Sequence, residues 1–75
     1  MLKSVTFEVT GDHRLYCEAC EHRVEGLLKT LEGVRQVRVR AHNQRIEVLF
    51  DPAQSEAPAV AERLRMAGYE TRVNG

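Results

Sequence analysis

The sequence predicts an α+β sandwich: a four-stranded antiparallel sheet with two helices on one of its faces, in the order strand–helix–strand–strand–helix–strand. Three observations predict it. Apolar residues alternate singly in some stretches and recur at helical spacing in two others. The chain also reads as two similar halves, because Leu31-Glu32-Gly33-Val34 and Met66-Ala67-Gly68-Tyr69 correspond at an offset of 35 residues, each ending a helix on glycine and opening a strand. Finally, 75 residues at 43% hydrophobic content suit one small domain, residues 1–75, with a modest core. Two strand–helix–strand units of this kind interleave into one sheet.

Residues 3–10 place Val5, Phe7 and Val9 on one face and Thr6, Glu8 and Thr10 on the other, the pattern of a half-buried strand. Gly11 and Asp12 stop it, and a loop runs to about Cys17. From Cys20 onward, Val24, Leu27, Leu28 and Leu31 fall on one helical face, and Gly33 stands where a C-terminal glycine cap belongs. Val34, Val37, Val39 and Ala41 then oppose Arg35, Arg38 and Arg40 in a second strand, with Asn43 and Gln44 as the turn. Ile46, Val48 and Phe50 alternate with Glu47 and Leu49 in a third, which Asp51-Pro52 ends. Ser55 is the expected N-cap of the second helix, with Pro58 tolerated in its first turn and Ala57, Val60, Ala61, Leu64 and Ala67 on its inner face. Gly68 closes that helix, and Tyr69, Thr71 and Val73 line a last short strand.

Composition narrows the function. Eleven acidic and eleven basic residues cancel, which is unlike the strong basic field of a nucleic-acid binder. Arg38 and Arg40 are expected on the open face of the second strand, where charge also discourages edge-to-edge pairing. No apolar run approaches the ~20 residues of a membrane span, and Met1 to Glu8 alternate without a continuous hydrophobic region. The chain is therefore expected to be cytoplasmic, where thiols stay reduced.

The chemistry lies in Cys17-Glu18-Ala19-Cys20, which holds both cysteines of the chain at the start of the first helical pattern. A Cys-x-x-Cys pair at the mouth of a helix gathers two sulfurs near the positive end of the helix dipole, which favours thiolate over thiol. Thiolate binds soft metals such as Cu(I), Zn(II), Cd(II) or Hg(II). The same pair suits thiol–disulfide exchange, so the spacing alone leaves both chemistries open.

In the order of its motifs the chain resembles the heavy-metal-associated domains of the copper-chaperone type. The residues that carry the resemblance are Val9-Thr10-Gly11, Cys17-Glu18-Ala19-Cys20, Val24-Glu25-Gly26-Leu27, Leu31-Glu32-Gly33-Val34, Val48-Leu49-Phe50-Asp51-Pro52 and Ala67-Gly68-Tyr69. The resemblance implies a ferredoxin-like βαββαβ fold with strand order 4-1-3-2. It also implies that Cys17 and Cys20 bind one soft ion and pass it by ligand exchange, with a metal-transporting P-type ATPase or another metal-accepting protein as partner, the carrier being a monomer or a metal-bridged dimer. The family pattern is Gly-Met-x-Cys-x-x-Cys. Here Asp12-His13-Arg14-Leu15-Tyr16 separates Gly11 from Cys17, so that three residues are inserted if Gly11 is the equivalent glycine, and Leu15 takes the place of the methionine. That methionine anchors the loop in the family, and leucine is close to it in volume. Tyr16 replaces a small polar residue and is a candidate cover for the sulfurs.

Two thiolates suit Cu(I), which accepts two-coordinate binding by soft sulfur, so Cu(I) is the first choice of metal. Zn(II) and Cd(II) take about four ligands. A detoxification or sensor domain for Zn(II), Cd(II) or Hg(II) would draw an extra ligand from the inserted loop, where His13 is the candidate and Asp12 a weaker one. His22 stands two positions past Cys20, about 200° around the helix, and faces away. Glu18 and Glu21 read first as acids of a helical first turn. His42 is a turn residue, and Met66 sits about 120° off its helix's apolar face. In the same loop logic, Tyr69 and the Ala67-Gly68 turn should lie at the cysteine end of the fold. A thiol redox protein is the rival from another class, but neither Pro52 nor Pro58 has the context of an active-site proline. No nucleophile–base set, phosphate loop or paired carboxylate site is legible, so no enzyme is expected.

Overall fold

The computed structural model describes residues 1–12, 14–16 and 18–74. It contains β1 (Lys3–Val9), α1 (Glu18–Lys29), β2 (Val34–Arg40), β3 (Arg45–Phe50), α2 (Ala57–Met66) and β4 (Thr71–Val73). The sheet runs β2-β3-β1-β4, and every neighbouring pair is antiparallel. This is the expected strand order read from the opposite edge. Strand alternation buries Val5, Phe7 and Val9 from β1, Val37 and Val39 from β2, and Ile46, Val48 and Phe50 from β3. The helices close over them with Val24 and Leu28 from α1 and Val60 and Leu64 from α2. Each fully buried side chain of this size contributes about 1.5–3 kcal/mol, so the layer between sheet and helices is the main source of stability.

The spacing of Val34 and Val37 needs an irregularity, since residues three apart point to opposite faces of a regular strand. Pairing supplies it: Val34 faces Phe50 and Gln36 faces Leu49, leaving Arg35 as the extra residue of a bulge. β2 is an edge strand, and Arg38 and Arg40 are exposed on it, Arg40 lying 3.8 Å from Glu47 of β3. At the far end Gly33 adopts φ +90°, and a Cβ there would lie 2.7 Å from Cβ of Gln54. The Asp51 N–H donates to the Gly33 carbonyl at 2.8 Å, which locks this turn to the end of β3.

Several boundaries differ from expectation. α1 stops at Lys29, so Gly33 belongs to the turn before β2 rather than to an immediate cap, and Leu31 is only partly buried. Leu27 lies at the border of the helix's inner stripe and is also only partly buried. The N-cap of α2 is Glu56, with no side-chain cap, not Ser55. The reason is local: the Gln54 and Ser55 N–H groups both donate to the Asp51 carbonyl at 3.0 Å, which draws Ser55 into the turn after β3. Ala67 is exposed at the C-cap. Tyr69 precedes β4 instead of lining it, and its side chain enters the core at 3% exposure. Val73 of β4 is exposed.

Candidate metal centre

Three segments meet at one end of the sandwich: the loop after β1, the β2–β3 turn and the turn after α2. β1 is central, and hydrogen bonds fasten its last residues on both sides. The Val9 N–H donates to the Gln44 carbonyl at 2.9 Å, and the Thr10 N–H donates to the Glu70 carbonyl at 2.8 Å. Gly11 follows against Glu70 so closely that a Cβ would lie 2.9 Å from the Glu70 Oε2. The turn carrying Gly68 and Tyr69 thus lies at the end where the first loop leaves the sheet, as expected. The described part of that loop carries exposed Asp12, Arg14 and Tyr16 around one buried residue, Leu15, at 2% exposure. Leu15 fills a core position beside the sheet, the anchoring role that the resemblance to the family's methionine implied. Tyr16 is 73% exposed and contributes no packing to the core.

α1 begins at Glu18, so Cys20 stands in its first turn, two residues earlier than the apolar pattern alone placed the helix start. There the N–H groups have no intrahelical acceptor and the helix dipole presents its positive end. Cys20 is partly buried and packs against the core cluster. Cys17 and His13 lie outside the described residues, and the expectations placed on them rest on the sequence. Among the described residues, no three His, Cys, Asp or Glu side chains gather as a metal-binding cluster. His22 is exposed and lies 3.8 Å from Glu25, on the outer face of α1 as expected. His42 and Met66 are exposed as well.

Two side chains have roles that the sequence did not signal. The Glu21 carboxylate accepts a 2.8 Å hydrogen bond from the Ala41 N–H, so this first-turn acid ties α1 to the β2–β3 turn. Gln44 reaches across to the loop, where its Oε1 accepts from the Leu15 N–H at 2.8 Å and its Nε2 donates to the Leu15 carbonyl at 2.7 Å. The same Nε2 donates to the Ala41 carbonyl at 2.6 Å. The turn therefore holds the chain two residues before Cys17 and, through Glu21, one residue after Cys20.

Comparison with known proteins places this geometry. The copper-exporting P-type ATPase of Bacillus subtilis (strain 168) is 31% identical over 67 residues, which is 89% of this chain and 8% of the ATPase. The zinc-transporting ATPase of Synechocystis sp. (strain PCC 6803) is 32% identical over 68 residues, 91% of this chain and 9% of that protein. The chain thus spans less than a tenth of either relative. The solution structure of the N-terminal domain of a potential copper-translocating P-type ATPase from Bacillus subtilis, in the Cu(I)-loaded state, superposes with a TM-score of 0.87 at 25% identity, covering 100% of this chain and 90% of that one. The sequence profile of the heavy-metal-associated domain matches residues 12–70, and the chain belongs to that family.

Proposed function

We propose that this domain binds one soft metal ion, Cu(I) in the first place, through Cys17 and Cys20, and delivers it to a metal-accepting protein such as a metal-transporting P-type ATPase. The observation that carries the reading is the second cysteine of a Cys-x-x-Cys pair set in the first turn of α1, in a chain of the heavy-metal-associated family. Cu(I) suits two thiolates without further donors. Transfer proceeds by ligand exchange. Each thiolate of the acceptor forms a Cu–S bond as one from this domain breaks, and the metal stays at the same oxidation state throughout. The domain is a carrier rather than an enzyme, and it works in the cytoplasm, where its thiols stay reduced. A zinc-transporting relative at 32% identity favours Zn(II) as the second reading, in which His13 supplies an extra ligand.

The test is titration of the reduced protein with Cu(I), Zn(II) and Cd(II), read by native mass spectrometry, with Cys17→Ser, Cys20→Ser and His13→Ala beside the parent. One Cu(I) per monomer, lost in both serine variants and kept within tenfold in affinity by His13→Ala, is the expected result. Tight Cu(I) binding by the double-serine protein would overturn the assignment. A His13→Ala loss of tenfold or more for Zn(II), with weak Cu(I) binding by the parent, would transfer the function to the second reading.

A further inference from the structure

Gln44 stands with φ 58°, the one non-glycine residue at positive φ among the described residues. That region is uncommon for a residue other than glycine, asparagine or aspartate, and it persists where the surroundings over-determine it. Here the surroundings are visible. Both N–H positions of the side-chain amide and its oxygen are in use, on Leu15 and Ala41, and only one orientation of the amide satisfies all three partners. The backbone carbonyl of the same residue accepts from Val9, where the loop departs. One residue therefore touches the chain before the loop through its main chain and inside the loop through its side chain.

Leu15 is fastened in two ways. Burial of its side chain fixes where the loop crosses the end of the sheet, and the paired hydrogen bonds from Gln44 fix the orientation of its peptide groups. The second fastening decides the direction in which the chain proceeds toward Cys17, two residues on. Five residues separate Gly11 from Cys17, and the longer a chain segment, the more conformational freedom is lost when its end is fixed at a metal. We propose that Gln44 is the positioning residue of the cysteine loop, holding the Leu15 backbone in place ahead of Cys17 before the ion arrives. The proposal rests on the metal-binding reading above.

The test compares the parent with Gln44→Asn and Gln44→Gly. Asparagine and glycine both accept the left-handed backbone. Asparagine is one methylene too short to reach Leu15, and glycine has no side chain, so both keep the turn and remove the contact. Amide hydrogen exchange of the metal-free protein should show faster exchange at Leu15 and unchanged exchange at Val9, whose acceptor is the Gln44 main chain. Cu(I) affinity, measured by competition with a chromophoric chelator, should fall about tenfold in both variants, equivalent to ~1.4 kcal/mol. With a parent that binds Cu(I), unchanged affinity in both variants, or equal loss of protection at Val9 and Leu15, would overturn the role of Gln44. A parent that takes up no soft metal would bring down the metal-binding reading, and this proposal with it.

Discussion

Replacing Leu15 with alanine should destabilise the whole domain, although the residue lies in a loop. At 2% exposure Leu15 is as buried as the strand residues it packs with. The substitution removes three carbons, and at ~0.8 kcal/mol for each buried methylene the transfer loss alone is about 2.4 kcal/mol. A residual cavity raises such losses into a range of about 2–5 kcal/mol. A loop settles into the space more readily than a strand, so the expected cost is about 2–3 kcal/mol. A domain of 75 residues has a total stability of about 4–11 kcal/mol, so the variant folds but with a thin margin. Urea denaturation of the reduced, metal-free protein, followed by circular dichroism, should show a lower midpoint at an unchanged slope. Thermal melting should move down by about 10–20 °C, at ~4–8 °C per kcal/mol for a domain of this size. Leu15→Met, which preserves volume, should cost less than ~1.5 kcal/mol. A loss below about 1 kcal/mol for Leu15→Ala would refute the claim that the loop is anchored in the core.

Metal removal should leave the fold intact: a chelator added to the loaded protein is expected to keep the far-ultraviolet circular-dichroism spectrum, and loss of most of that signal would contradict the independence of core and site. The glycines should separate by environment. Gly33→Ala, with φ +90° and a Cβ only 2.7 Å from Gln54, should cost more than about 1 kcal/mol, whereas Gly26→Ala, in α1 with nothing within 4 Å, should gain about 0.5–1 kcal/mol in the same denaturation assay.

Periodic elements were legible from the residues because a strand or helix writes its buried face into the spacing of its apolar residues. The bulge at Arg35 was present in the sequence as the odd spacing of Val34 and Val37. Leu15 was legible only through the resemblance, as the residue in the place of the family's methionine, since one leucine in a polar loop has no period. The Ser55 cap was misplaced because propensity favours serine there, while Ser55 is part of the turn after β3 and the helix is entered one residue later, from Glu56. Gln44 and Glu21 were missed for a different reason. A side chain that bonds a backbone 29 or 20 residues away leaves no mark on local pattern, and Asn43-Gln44 announces only a turn.

Those missed contacts bear on how a carrier can hold and release its cargo. In a small structural zinc domain the metal–ligand bonds supply the folding energy, so release of the ion is unfolding. Here three ties hold the described flanks of the cysteine pair: the burial of Leu15, the Gln44 bonds to its backbone, and the bond from Ala41 to Glu21. None of the three uses a sulfur. The fully buried side chains between sheet and helices are Phe7, Val9, Val24, Leu28, Ile46, Val48, Val60 and Leu64, and Cys20 packs only at their edge. An ion bound by the cysteines would therefore contribute little to folding, and giving it up would cost the fold little. On the proposed reading, order in the loop before the ion arrives adds to the affinity that the two thiolates supply, and the β2–β3 turn shares in that contribution through Gln44 and the Ala41 N–H.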